Sequence, residues 1–81
     1  MKRKTKSMAI SQYFKRKLKT YEIYVQVNPN NFTGVELIVH PDGKIEKTEM
    51  EFDEEIFEDL AEDDFIHASA LEFQLLLSKV K

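Results

Sequence analysis

The chain reads as an α+β fold: a three-stranded antiparallel sheet with a long carboxyl-terminal helix packed on one face and a short amino-terminal helix, in the order α-β-β-β-α. Three observations lead there. From Glu54 to Val80 there is no Pro and no Gly, and apolar residues recur at steps of three and four. From Tyr21 to Val27 the period drops to two, with Tyr21, Ile23, Val25 and Val27 on one side and Glu22, Tyr24 and Gln26 on the other. Between them, His40-Pro41-Asp42-Gly43-Lys44 is hairpin chemistry. Pro presets the first turn position, Asp bonds its own backbone and Gly supplies a positive φ.

Each element has its own warrant. Residues 1–6 form a basic tail, expected to be disordered, and residues 7–81 one α+β domain. Ser7 is placed to cap a helix over residues 8–18, where Ile10, Phe14 and Leu18 stand four apart. Lys15, Arg16 and Lys17 crowd its other side, so only packing would hold so short a helix. Asn28-Pro29-Asn30-Asn31 closes the first strand, because Pro cannot donate to a ladder and Asn tolerates left-handed backbone. The second strand runs from Val35 to His40 with Val35, Leu37 and Val39 inward, and the third returns from Lys44 to about Phe52 as a Glu-rich edge.

Asp53 is a natural cap for the last helix, with Glu54 and Glu55 at its positive end and Lys79 and Lys81 at its negative end. A helix from residue 54 to residue 80 would be ~40 Å long. It would carry two apolar rows. Phe57, Leu60, Ala61, Asp64, Ala68, Leu71 and Leu75 share one face, and Ile66, Ala70, Phe73, Leu77 and Val80 lie nearly opposite. Asp64 falls inside the first row, and Asp63 or Asp64 is an alternative cap for a new helix opening at Phe65.

Composition narrows the function. Eighty-one residues bury a thin core, and an enzyme pocket would consume much of it. There is no cysteine, hence no disulfide framework and no thiolate chemistry, which suits a reducing, cytoplasmic setting. The Lys-rich start is not followed by the apolar run of a signal peptide, and no stretch reaches membrane-spanning length. The net charge of −3 conceals a dipole along the chain. The first nineteen residues hold eight bases and no acid, whereas residues 46–64 hold eleven acids and one base.

Chemistry finds little support. His67 lies three and four residues after Asp64 and Asp63, a helical spacing that would pair imidazole with carboxylate; the plainer reading is a surface ion pair. A metal site needs three or four convergent ligands, and His-Glu-x-x-His is missing. The acidic run has no Gly after Gly43 and so no calcium loop. Two glycines make no phosphate loop, and Ser7, Ser11, Ser69 and Ser78 lack the glycines of a nucleophile elbow. No catalytic residue, metal or cofactor is expected.

Two non-enzymatic readings remain. The doubled apolar helix calls for a cover, either the first helix or another protein. A homodimer through Ile66, Ala70, Phe73, Leu77 and Val80 is the leading expectation. The alternative is a nucleic-acid accessory protein gripping phosphates with Lys2, Arg3, Lys4, Lys6, Lys15, Arg16 and Lys17. The expected element order resembles that of the double-stranded-RNA-binding domain. In that family bases open the last helix and hold phosphates. Here Glu54, Glu55 and Glu58 stand there and would repel RNA.

Overall fold

The computed structural model describes residues 11–80. Four strands form an antiparallel meander: β1 (Gln12–Lys17), β2 (Glu22–Asn28), β3 (Thr33–Val39) and β4 (Ile45–Glu51). They are followed by α1 (Ile56–Glu62), a two-residue strand β5 (Ile66–His67) and α2 (Ala70–Leu77). The sheet has five strands in the order β4-β3-β2-β1-β5, with every pair antiparallel. The architecture is therefore a five-stranded sheet with two short helices, in place of the expected three strands and one long helix.

The first correction lies at the front. The segment expected as a helix over residues 8–18 is β1, with residues 8–10 outside the described part. Two periods compete in Tyr13-Phe14-Lys15-Arg16-Lys17. As a helix it would crowd three cations on one turn. As a strand it alternates, so Tyr13 and Lys15 face one side while Phe14 and Arg16 face the other. Pairing with β2 settles the choice: Phe14 sits opposite Val25 and Lys15 opposite Tyr24. Aromatic and β-branched neighbours across a ladder stabilise such pairs.

The second correction is the broken helix. Asp64 has φ 65°, the left-handed region that ends a helix. The Phe65 amide donates to the Leu60 carbonyl at 3.0 Å and the Asp64 amide to the Ala61 carbonyl at 3.2 Å. This bond pair is the Schellman ending, and Phe65 packs on the same apolar cluster as Leu60, the contact that accompanies it. The chain then runs extended through β5, where His67 pairs with Phe14 and Ile66 with Lys15. Ser69, at φ −83° and ψ 151°, restarts a helix: its hydroxyl accepts the Glu72 amide at 3.0 Å.

The break puts the two helices on opposite faces of the sheet. On one face Phe14, Val25, Val27 and Leu60 are buried, with Ile23, Phe52, Ile56, Phe57 and Phe65 around them. On the other, Tyr24, Leu37 and Phe73 are buried among residues that include Tyr13, Val35, Val39, Ile45 and Leu76. The apolar sides of β2 and β3 thus serve different cores. Val25 lies opposite Glu36, and Leu37 lies opposite Tyr24.

Two glycines carry the backbone. Gly43, at φ 92°, closes the β3–β4 hairpin, where the His40 amide donates to the Lys44 carbonyl and the Lys44 amide to Asp42 Oδ1. Gly34 faces Val27 across the ladder, and a Cβ there would lie 1.7 Å from the Gln26 carbonyl oxygen. Only glycine fits. The β2–β3 turn uses asparagine side chains: the Asn30 amide donates to Asn28 Oδ1, and the Thr33 amide and hydroxyl donate to Asn31 Oδ1.

Candidate functional site

The row Ile66, Ala70, Phe73, Leu77 and Val80 no longer lies on one helix face. Phe73 is fully buried on the sheet, its ring centroid 5.3 Å from that of Tyr13. Leu77 and Val80 are half-buried in the same cluster. Ala70 is exposed, and Ile66 stands 61% exposed on the edge strand β5. The residues turned outward on α2 come from the other row. Leu71 is 68% exposed and Leu75 57%, one turn apart on the side opposite Phe73. Beside them are the exposed, uncharged Gln74 and Ser78. A continuous helix would have turned Leu71 and Leu75 inward together with Phe57 and Leu60. Breaking the chain at Asp64 reverses that phase. The cue in the sequence is Ser69-x-x-Glu72, a capping pattern inside the expected helix.

The basic constellation is divided. Lys2, Arg3, Lys4 and Lys6 lie outside the described residues. Lys15 and Lys17 share a face of β1 with Tyr13, whereas Arg16 is on the opposite face. Lys15 Nζ donates to both carboxylate oxygens of Glu72, at 3.1 and 3.0 Å. Lys17 lies 3.7 Å from the Glu22 carboxylate. The Tyr24 hydroxyl donates to Glu22 at 3.2 Å and to Glu72 at 3.4 Å. Burial, then the neighbouring charges of Glu22 and Glu72, push the Tyr24 phenol up to about 12. The Lys15 hydrogen bond holds the Glu72 carboxyl below its ordinary value despite some desolvation. This polar group fastens α2 to β1 and β2, and it engages two of the cations expected to meet phosphate.

The histidines are separated. His67 belongs to β5, and its ring lies 4.9 Å, centroid to centroid, from Phe14. The i, i+4 spacing to Asp63 has no helical meaning there, because α1 ends before it. His40 Nε2 contacts the Glu46 carboxylate across the β3–β4 hairpin. Among the described residues no group of three or more His, Cys, Asp or Glu converges as a metal site would require. Among them, too, no helix is long and apolar enough to cross a membrane.

Beneath α1 lies an apolar cavity of about 400 Å³. Phe14 from β1, Pro29 from the β2–β3 turn, Phe57 and Ala61 from α1, and Phe65 after it form the walls. Gln12 and His67 add polar edges. This cavity is not legible in the sequence, because its walls come from four separate segments that only the folded chain brings together.

No protein-family profile, curated protein or solved structure matches the chain.

Proposed function

We propose that this protein is a small non-enzymatic association module, working in the cytoplasm, whose self-association surface is the outer side of α2 with Ile66 beside it. One observation carries the reading: Leu71 and Leu75 stand 68% and 57% exposed on a helix whose opposite side is already buried. A surface helix needs only one apolar side. Exposed leucines one turn apart, flanked by Gln74 and Ser78, suit an antiparallel pairing of α2 with α2 of a second copy. Leu71 of each copy would then meet Leu75 of the other about a two-fold axis.

Light scattering coupled to size exclusion tests the proposal. The expected mass is twice that of one chain, and Leu71→Glu with Leu75→Glu should yield a folded monomer. Both positions are open to water, so each substitution should leave stability within about 0.5 kcal/mol. A wild-type chain that remains monomeric at high concentration refutes the reading.

A further inference from the structure

We propose that the cavity beneath α1 is a docking site for a lysine- or arginine-rich segment of a partner protein, which inserts one large apolar side chain between Phe14, Phe57 and Phe65. The site lies on the opposite face of the sheet from the outer side of α2, so it is independent of self-association.

Size and lining favour an apolar anchor. About 400 Å³ lies within the range of small-ligand pockets and accommodates a phenylalanine or leucine side chain with its flanking backbone. Three aromatic rings and Pro29 line it. Phe14 and Phe57 lie with centroids 5.9 Å apart at 53°, a tilted aromatic pair of the kind that a further apolar side chain can pack against. Ala61, on the wall that α1 supplies, is exposed and small.

The surrounding charge selects the partner. Phe57 and Ala61 are four residues apart on one side of α1, and Glu58 and Glu62 follow each of them by one position. Both glutamates are exposed. From residue 53 to residue 64 the chain carries eight acids and no base. Among the described residues none of these carboxylates is in an ion pair. An anionic ligand, nucleic acid included, would be repelled at this mouth. A segment with cations on both sides of its apolar anchor is attracted over a Debye length and then held by burial of the anchor. The chain's own first ten residues have this composition, with Lys2, Arg3, Lys4 and Lys6 beside Met8 and Ile10. Occupation from within the chain is therefore the rival outcome.

Fluorescence anisotropy with the full chain tests the site, using a labelled peptide of lysines around one central phenylalanine. Saturable binding is expected. It should weaken at least about tenfold when salt is raised, and similarly when Glu58→Lys and Glu62→Lys are combined. Replacing the peptide's phenylalanine with serine should abolish it. Ala61→Trp, which adds bulk to the cavity wall from an exposed helix position, should abolish it with the melting temperature retained. Leu71→Glu should leave it unchanged, which keeps the result separate from the self-association reading. Equal binding of a glutamate-rich peptide overturns the proposal. So does absence of binding, or binding that emerges only once Lys2, Arg3, Lys4 and Lys6 are replaced by Gln. That last result would assign the cavity to the chain's own front.

Discussion

The two helices differ in how they meet one sheet. α1 turns Ile56, Phe57 and Leu60 toward the strands and Glu58, Asp59 and Glu62 toward water, the division expected of a surface helix. α2 has no such division. Phe73, Leu76 and Leu77 face the strands, and Leu71 and Leu75 face water. The attachments differ as well. α1 is held by apolar contact and ends on a backbone motif at Asp64. α2 begins on a side-chain cap at Ser69 and is fastened to β1 by Lys15 and Glu72. A helix with apolar residues on two sides gains from a polar anchor that selects the side it buries. Glu72 supplies that anchor: its ion pair with Lys15 would be lost if α2 rolled to bury Leu71 and Leu75.

The largest expected effect tests what both sides share. Gly34→Ala should disrupt the β2–β3 ladder beneath both cores, since a Cβ there overlaps the Gln26 carbonyl. A loss on the order of 4 kcal/mol, or failure to fold, is expected in urea denaturation. Next come the two anchors compared directly. Phe73→Ala should cost about 3–5 kcal/mol and Leu60→Ala about 2–5 kcal/mol, with Phe73 the greater because it is fully buried. The reverse order would make the α1 side the principal core.

The polar anchor of α2 has a pH signature. The Tyr24 phenol is raised from 10 to about 12 in the folded chain. Its contribution is complete below pH 10 and is lost as pH rises from 10 toward about 12. Tyr24→Phe should therefore flatten the alkaline limb of the stability curve measured by chemical denaturation. Glu72 acts in the other direction. Its carboxyl is lowered, so its contribution holds above the ordinary carboxylate range and fades as pH falls through it. Glu72→Gln should shrink the acid-side loss, by no more than the ~1 kcal/mol of a partly exposed ion pair.

The smallest effects contrast the two helix ends. Asp64→Gly should raise the thermal midpoint by relieving a left-handed backbone, worth about 1 kcal/mol. Ser69→Ala should lower it by about 1 kcal/mol through loss of the cap. If the Asp64 substitution destabilises instead, the aspartate side chain contributes at the end of α1 beyond its backbone angle.

Local chemistry was readable wherever it acts on its own neighbours. Alternation from Glu22 to Val27 announced β2, and Pro41-Asp42-Gly43 announced the hairpin joining β3 and β4, because strand period and turn geometry are properties of adjacent residues. The apolar excess between Ile66 and Val80 was also visible, although Phe73, expected outward, is buried, and Leu71 and Leu75, expected inward, face water. Three things depended on contacts between distant segments. Tyr13-Phe14-Lys15 fits a helix or a strand, and the edge of β2 decides for the strand. Phe65 fits either as a helix opening or as a helix ending, and packing beside Leu60 decides for the ending. The cavity under α1 is walled by Phe14, Pro29, Phe57, Ala61, Phe65 and His67, and folding alone brings together segments as distant as Phe14 and His67, fifty-three positions apart. The amino-acid pattern thus sets which residues seek burial and where the backbone can turn. Tertiary packing decides which face each of them reaches, because a single left-handed residue at Asp64 changes the phase of everything that follows.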